Sequence, residues 1–288
     1  MLIFITDLDG TLLDDGYSYQ AALPALEALQ RLHIPLVLCT SKTYAEVKAF
    51  RRQIGNRDPF IVENGGALYI PEGCLPLELN SPIRRGGCTV IELGYAYPEL
   101  IRSLHQASNE SGCAVRGFYQ MSVEEISLAC GMTPEAARLA KIREYDEPFE
   151  ILSGDPRRLI SAIEKRKKRC TRGGRFYHIL GANDKSHCVN LLIHYYQRAF
   201  GPMTTIGLGD GPNDAGFLKL VDVALVLKSP ASKEVLAAVP HARLCPGNGG
   251  PAAWNAAVLS ALFRHLPAEQ PAAERTASPS NMSKAAVV

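Results

Sequence analysis

Two aspartates separated by one residue, Asp7 and Asp9, stand directly after a short apolar segment at the start of the chain. The apolar residues 2–5 are typical of a buried strand of a parallel sheet, and open α/β sheets bind ligands at the carboxyl ends of such strands. Gly10 allows the backbone to turn sharply there. Paired carboxylates coexist when a cation or a shared proton lies between them, and one of them could attack phosphorus. An ordinary Asp-Gly turn is the alternative interpretation.

Three further groups of polar residues follow predicted strands or begin predicted helices. Thr40 and Ser41 end a second apolar strand, where the amides of the next helix make a seat for an anion, although a simple helix cap is the alternative. Lys185 begins a helix, a position that the helix dipole disfavours for a cation, so an anionic group is expected beside it. Asp210 and Asp214 follow a fourth apolar strand within GDGPND. We expect all of these groups at one edge of a single sheet.

Residue types of this kind match the needs of phosphoryl transfer. One carboxylate attacks phosphorus, Mg²⁺ offsets its repulsion by the phosphate oxygens, and a hydroxyl and a lysine hold the remaining oxygens. A second carboxylate protonates the leaving oxygen and then activates water. Because uncatalysed hydrolysis of phosphate monoesters is extremely slow, enzymes use many preorganised charges for it. The residues therefore favour an enzyme that transfers phosphoryl groups.

The order of the predicted elements is that of an α/β protein with a doubly wound parallel sheet. Strands alternate with helices over residues 1–81 and again over residues 182–266. Residues 82–181 mix helices with short strands, which predicts an inserted α+β domain, and the β segment at residues 88–93 is assigned to it. Residues 267–288 are rich in Ala, Pro and Ser, which predicts a disordered tail.

Composition excludes several classes of function. The chain has 288 residues and a formal net charge of +2, which makes no case for nucleic acid as a partner. No apolar run reaches the roughly 18 residues of a membrane span. The eight cysteines are scattered without a CxxC pair, and the N-terminus has no secretion signal. These features favour reduced thiols and a cytoplasmic protein that acts on a small molecule, without nucleic acid or membrane as a partner.

DLDGTLL at residues 7–13, the Thr-Ser pair, the lone lysine and GDGPND resemble motifs one to four of the haloacid dehalogenase (HAD) superfamily. The insertion between motifs two and three resembles a type C2B cap on an HAD-like core. The resemblance implies that Asp7 is the nucleophile, which forms an aspartyl phosphate, and that Asp9 is the general acid/base. It further implies phosphate binding by Thr40, Ser41 and Lys185, and Mg²⁺ binding by Asp7, the backbone carbonyl of Asp9, Asp210 and Asp214, the last as a ligand or a supporting acid.

Five segments are similar to a narrower family, the mannosyl-3-phosphoglycerate phosphatases. They are SKTYAEV at 41–47, ENGGA at 63–67, TVIELG at 89–94, REYDEPFEI at 143–151 and GGRFYHILG at 173–181. The implied substrate carries a phosphate, a glycerate carboxylate and a neutral sugar, and the implied product is mannosylglycerate, a compatible solute. Candidate substrate contacts are Lys42, Thr43 and Glu46 from the core and Arg143, Arg175 and His178 from the cap.

Three other functions compete with this prediction. A broad-specificity sugar phosphatase with the same type of cap would share every core motif. A phosphomannomutase-like transferase would depend on an added sugar bisphosphate. A non-catalytic sensor on the same fold would have no need of the pair formed by Asp7 and Asp9, which argues against it. Fold alone does not decide among these functions.

Overall fold

The computed structural model describes residues 1–76, 82–173 and 176–266. Its strands are β1 (Leu2–Thr6), β2 (Leu36–Cys39), β3 (Phe60–Val62), β4 (Ala67–Pro71), β5 (Ile83–Arg85), β6 (Cys88–Glu92), β7 (Ala114–Gly117), β8 (Asp146–Ser153), β9 (Arg169–Gly173), β10 (Phe176–Leu180), β11 (Thr204–Gly209), β12 (Val223–Val226) and β13 (Arg243–Leu244). Its α-helices are α1 (Leu23–Arg31), α2 (Tyr44–Gln53), α3 (Tyr97–Ser111), α4 (Val123–Cys130), α5 (Pro134–Ala140), α6 (Pro156–Glu164), α7 (Lys185–Phe200), α8 (Ala215–Leu218), α9 (Ser232–Ala238) and α10 (Gly250–His265).

The larger sheet has the strand order β13-β12-β11-β1-β2-β3-β4-β6-β5, and β1 lies near its middle with all five residues buried. Pairings from β13 through to β3 are parallel, and those of β4, β5 and β6 are antiparallel. Apolar residues of α1, α2 and α10 cover one face, and those of α7, α8 and α9 cover the other. The predicted doubly wound α/β core is confirmed.

The smaller sheet is antiparallel and has the order β7-β8-β10-β9. One of its faces packs against α3 and α6 through a cluster that includes Phe149 and Ile179. On β10, Phe176 lies on the opposite face, where it joins a second apolar cluster formed with α4 and α5. Side chains of β10 therefore alternate between the two faces, because successive strand residues point to opposite sides of a sheet.

The structure corrects one assignment. Residues 88–93 were predicted to belong to the insertion, but β6 pairs with β4, and β5 pairs with β6, so both strands extend the larger sheet. Val90 of β6 is buried in the core of that sheet. The local pattern predicts a strand but carries no information about which sheet the strand joins, since pairing is decided by distant partners. We therefore propose residues 93–181 as the inserted unit, which we call the cap.

Three further expectations concern the cysteines, membrane-spanning helices and the C-terminal tail. All eight cysteines lie in the described part of the chain, and none forms a disulfide there. Within residues 1–76, 82–173 and 176–266, no helix combines the length and the apolar character that crossing a bilayer requires. The predicted tail at residues 267–288 lies outside the described residues.

Candidate active site

The carboxyl ends of three neighbouring strands meet at one edge of the larger sheet. In the parallel register, Thr6 of β1 lies opposite Leu38 of β2 on one side and Leu208 of β11 on the other. The amide of Asp7 donates to the carbonyl of Leu208 at 2.9 Å. The segments that follow these strands, residues 7–11, 40–43 and 210–214, are thereby adjacent, as the sequence predicts for motifs placed after parallel strands.

Lys185 lies between two carboxylates at this edge. Its Nζ is 2.6 Å from Oδ1 of Asp7 and 2.7 Å from Oδ1 of Asp214. All three side chains are almost completely buried. Burial alone would lower the pKa of Lys185, but the charges of Asp214 and Asp7 outweigh it and raise that pKa. The prediction of an anionic group beside a lysine at a helix N-terminus is confirmed.

The acidic cluster carries more negative charge than one lysine offsets. Carboxylate oxygens of Asp7, Asp210 and Asp214 all lie within 4.8 Å of one another. Burial and the charge of Asp214 raise the pKa of Asp7 well above its usual value, and the same two causes raise the pKa of Asp210 to about 6. A divalent cation would relieve this repulsion, and hard carboxylate oxygens are the ligands that Mg²⁺ prefers. The residues present therefore fit a magnesium site.

The loops around the cluster hold the carboxylates in place. Thr11 donates from Oγ1 to Oδ1 of Asp210 at 3.0 Å. The amides of Asp210 and Gly211 donate to Oδ2 of Asp214 at 3.1 and 3.0 Å. Gly10 has φ +73°, and a Cβ there would stand 2.8 Å from the carboxylate of Asp210. Thr11 was not predicted as a site residue from the sequence, although it belongs to the first motif, DLDGTLL.

Asp9 points away from this cluster. Its side chain is 42% exposed, and its Oδ1 lies 2.9 Å from Nζ of Lys42. Lys42 also lies 3.6 Å from a carboxylate oxygen of Glu46 and 4.6 Å from the ring centroid of Tyr17. Burial would lower the pKa of Lys42, but the charges of Asp9 and Glu46 raise it. The Asp9 side chain is thus partly exposed, and its charge is balanced by Lys42 of the second motif.

Two predicted substrate contacts cap a helix instead. Thr43 is the N-cap of α2: its Oγ1 accepts from the amide of Glu46, and the Glu46 carboxylate accepts from the amide of Thr43. This is a capping box, which satisfies two amides at the start of the helix. Thr43 Oγ1 also donates to the carbonyl of Leu139 in α5 at 3.0 Å. The contacts of Thr43 and Glu46 are thus within the protein, and they tie α2 to the cap.

Arg143 is likewise occupied by protein groups. Its side chain is only 4% exposed, and it donates to the carbonyl of Asp146 at 2.6 Å and to the carbonyl of Ser41 at 2.9 Å. Its Nε lies 3.8 Å from Glu63, whose carboxylate accepts from the amide of Tyr145 at 2.7 Å. Burial raises the pKa of Glu63 to about 7. Arg143 was expected to contact the substrate. In the structure its hydrogen bonds instead connect the cap to the loop that contains Ser41.

Of the last two predicted contacts, the structure describes His178, which lies on β10. His178 is 9% exposed, and its Nδ1 lies 2.9 Å from Oδ1 of Asp146. Asp146 in turn accepts from Nδ2 of Asn64 in the core at 2.6 Å. Arg175 lies outside the described residues. Asp146, Asn64 and Glu63 were missed by sequence reasoning, although all three fall in segments that carried the narrower resemblance.

Comparison with known proteins agrees with this geometry. A family model described as haloacid dehalogenase-like hydrolase matches residues 4–75. The chain is 38% identical over 270 residues to a glucosyl-3-phosphoglycerate/mannosyl-3-phosphoglycerate phosphatase of Methanococcoides burtonii, covering 91% of this chain and 98% of that protein. It is 33% identical over 227 residues to a mannosyl-3-phosphoglycerate phosphatase of Pyrococcus furiosus, covering 78% and 90%. The sucrose-phosphatase of Synechocystis sp. PCC6803 shares the fold, with a TM-score of 0.58 at 15% identity over 91% of this chain and 97% of that one.

Proposed function

Because the chain belongs to the mannosyl-3-phosphoglycerate phosphatase family of HAD hydrolases, we propose that it hydrolyses mannosyl-3-phosphoglycerate to mannosylglycerate and phosphate. The observation that carries this proposal is the buried pair of carboxylates, Asp7 and Asp214, joined by Lys185 at the sheet edge beneath the cap. We further propose that the enzyme acts in the cytoplasm on this small molecule.

Asp7 is the nucleophile in this proposal. One of its carboxylate oxygens forms a bond to phosphorus while the bond from phosphorus to the glycerate oxygen breaks, and Asp9 delivers a proton to the leaving oxygen. Asp9 then takes a proton from water, which attacks phosphorus and releases Asp7. The partial exposure of Asp9 suits a group that exchanges protons with a leaving group and with water.

The other residues of the edge hold charge and position. Lys185 reaches Asp7, so the same ammonium can contact a phosphoryl oxygen carried on Asp7. Thr40 and Ser41 line the adjacent loop and supply hydroxyl and amide donors to the phosphate. Asp7, Asp210, Asp214 and the backbone carbonyl of Asp9 would hold Mg²⁺. When bound, the ion neutralises charge that develops on the phosphate oxygens.

The cap supplies the surface for the rest of the substrate. Because the phosphate lies at the sheet edge, the glycerate and the sugar extend toward the cap. Lys42 is the cation nearest to Asp9 and is placed to meet the glycerate carboxylate. His178 lies on the same face of the cap sheet as Asp146, which bonds to the core. We retain these two residues, and Arg175, as candidate substrate contacts.

Phosphate release from a panel of substrates tests the proposal. The panel contains mannosyl-3-phosphoglycerate, 3-phosphoglycerate, mannose phosphates and an aryl phosphate, each assayed with Mg²⁺. We expect kcat/KM for the mannosyl compound to exceed the others by about 10²-fold or more, equivalent to about 2.7 kcal/mol of transition-state binding. The Asp7→Asn variant should lose turnover on every substrate, since an amide cannot act as the nucleophile. Equal activity across the panel would demote the protein to a general sugar phosphatase, and full turnover by the variant would refute the mechanism.

Glucosyl-3-phosphoglycerate is a second candidate substrate. Two relatives, those of Methanococcoides burtonii and Persephonella marina at 38% and 36% identity, carry both substrates in their names. The two sugars differ in the orientation of one hydroxyl group, and a pocket that forms no hydrogen bond to that hydroxyl would accept both. The glucosyl compound is therefore included in the panel, where comparable kcat/KM values would indicate dual specificity.

A further inference from the structure

Asp146 lies at the start of β8 and has no exposed surface. Its Oδ2 accepts from Nδ2 of Asn64 in the core at 2.6 Å, and its Oδ1 lies 2.9 Å from Nδ1 of His178. A guanidinium nitrogen of Arg143 is 3.6 Å away. Burial acts to raise the pKa of Asp146, but the charge of Arg143 and the hydrogen bonds from His178 and Asn64 outweigh burial and lower it. Asp146 is therefore a buried, ionised carboxylate that can only accept hydrogen bonds.

This contact determines the tautomer of His178. Because an ionised carboxylate has no proton to donate, Nδ1 of the histidine must carry the proton that lies between them. In a neutral ring, Nε2 is then the nitrogen with a free lone pair. Nε2 has no hydrogen-bond partner among the residues that the structure describes. Nε2 of His178 is therefore available to accept a hydrogen bond from a bound molecule.

The register of the cap sheet decides which face His178 occupies. It lies opposite Pro148 of β8, so it shares a face with Asp146, two residues before Pro148. The neighbouring residues Tyr177 and Ile179 belong to the opposite face, which packs on α3 and α6. Since Asp146 bonds to the core residue Asn64, the face of His178 is the one turned toward the core.

The core side of this contact leads to the acidic loop. Asn64 has φ 54°, in the left-handed region that asparagine tolerates better than most residues. Its Oδ1 accepts from Nδ2 of Asn213 at 3.3 Å, and Asn213 immediately precedes Asp214. A continuous chain of hydrogen bonds therefore runs from the cap histidine, through Asp146 and Asn64, to the loop that carries the acidic cluster.

We propose that Asp146 is a positioning residue, which holds His178 so that Nε2 accepts a hydrogen bond from a hydroxyl group of the sugar. This inference rests on the proposed function, which places a sugar phosphate with its phosphate at the core and its sugar beneath the cap. Sugar hydroxyls are donors, and a neutral imidazole whose other nitrogen is engaged is a fixed acceptor. Asp146 thereby contributes to selection of the sugar without touching it.

His178→Asn is the main test. Asparagine can keep a donor at the position of Nδ1, toward Asp146, while removing the acceptor at Nε2. We compare kcat/KM for mannosyl-3-phosphoglycerate with kcat/KM for 3-phosphoglycerate, which lacks the sugar. We expect the ratio of the two values to fall about tenfold or more, because one hydrogen bond to the sugar is lost. Tyr177→Phe, on the opposite face of the same strand, is the matched control and should keep the wild-type ratio.

Asp146→Asn tests the positioning role. Its amide can donate to Nδ1 of His178, which moves the ring proton to Nε2 and turns the acceptor into a donor. The ratio should fall to a similar extent as in His178→Asn, and combining both changes should add little, since both act on the same hydrogen bond. Additive losses, or equal losses of kcat/KM on both substrates, would show that Asp146 is merely structural. Thermal melts verify folding, and if Asp146→Asn does not fold, His178→Gln, which keeps an acceptor near Nε2, should restore part of the ratio.

These outcomes separate the inference from the proposed function. If the wild-type protein shows no preference for mannosyl-3-phosphoglycerate over 3-phosphoglycerate, the proposed substrate is wrong and the inference fails with it. If the wild type shows the preference and His178→Asn retains it, the proposed function stands and only the role of Asp146 and His178 is overturned.

Discussion

Individual contacts with neighbouring side chains and amides stabilise the buried carboxylates of this protein. Lys185 places one ammonium within 2.7 Å of both Asp7 and Asp214, and this contact makes a buried pair of acids tolerable. Another buried acid, Glu147 of β8, forms no ion pair within the part of the chain that the structure describes. Tyr97 donates to its Oε2 at 2.5 Å and the amide of Tyr119 donates to its Oε1 at 3.1 Å. These donors act to lower the pKa of Glu147, but burial outweighs them and raises it to about 7.

Glu147→Gln should therefore change how stability depends on pH. The folded state holds the proton of Glu147 up to about pH 7, whereas the unfolded chain releases it near the ordinary glutamate pKa of 4.5. The stability contributed by this proton is complete below pH 4.5 and is lost as the pH rises through about 7. Glutamine cannot ionise, so we expect the variant to be about 3 kcal/mol more stable than wild type at pH 8 and much closer to it near pH 5.

Thermal unfolding at the two pH values measures this effect. The matched control is Glu150→Gln, which removes a partly exposed carboxyl from the same strand and should shift stability by a similar small amount at both pH values. An advantage for Glu147→Gln that is equally large at pH 5 and pH 8 would contradict ionisation as the cause and would point to a change in packing.

At the scale of elements, the start of α2 joins the phosphate loop to the cap. The helix begins at Tyr44, three residues after Ser41, and its capping box orders the backbone that directly follows the predicted phosphate loop. The same Thr43 hydroxyl that accepts from the amide of Glu46 also donates to Leu139 of α5. A single N-cap residue thus sets both the helix terminus and its contact with the cap.

Thr43→Ala should weaken both functions of this helix terminus. Loss of an N-cap hydroxyl costs about 1 kcal/mol, and the carbonyl of Leu139 loses its donor in addition. We expect a lower melting temperature and a KM for the substrate at least about threefold higher, because the amides at the phosphate loop are less well ordered. Thr43→Ser retains the hydroxyl and should remain close to wild type. Equal defects in the alanine and serine variants would contradict the capping role.

At the scale of the molecule, residues 143–147 join the two sheets. Arg143 bonds to Ser41, Glu144 to Arg85, Tyr145 to Glu92, Asp146 to Asn64 and Glu147 to Tyr97. The first four of these contacts run to the core from residues 143–146, which lie just before β8 and at its first residue. The cap is therefore attached to the core through these residues, in addition to the contact of Thr43 with Leu139 and the two points where its chain leaves and re-enters the core.

Gly66→Ala should loosen the attachment of the cap to the core through residues 143–146. Gly66 has φ −62°, which alanine adopts readily, but a Cβ there would stand 2.3 Å from Cβ of Tyr145. The added methyl must displace Tyr145, whose amide bonds to Glu63. We expect the amides of Glu144 and Tyr145 to exchange hydrogen at least about tenfold faster, and kcat/KM for the sugar substrate to fall by a similar factor.

Gly16→Ala is the matched control for this change. A Cβ at Gly16 would stand 3.4 Å from the exposed Asp14 carboxylate, which is ordinary contact, so exchange and activity should remain those of the wild type. Unchanged exchange at Glu144 and Tyr145 in Gly66→Ala would show that the segment does not depend on close contact with the 63–66 turn.

The sequence alone determined the fold of the core and which polar residues meet at its edge. Asp7, Asp210 and the Thr40-Ser41 pair follow apolar strands directly, and parallel strands bring their carboxyl ends to one edge. Lys185 at a helix start predicted the carboxylates that the structure places beside it. These inferences succeeded because each depends on a few consecutive residues and on the general geometry of parallel sheets.

Only the tertiary structure decided how the cap meets the core. Residues 88–93 form a recognisable strand, but its pairing with β4 is a choice among distant partners. Glu63 and Tyr145 are 82 residues apart, and their hydrogen bond leaves no periodic pattern in the chain. Arg143 was predicted to contact the substrate because it is cationic. In the structure it is buried and donates hydrogen bonds within the protein, because a guanidinium binds whichever carbonyls and carboxylates the fold brings to it.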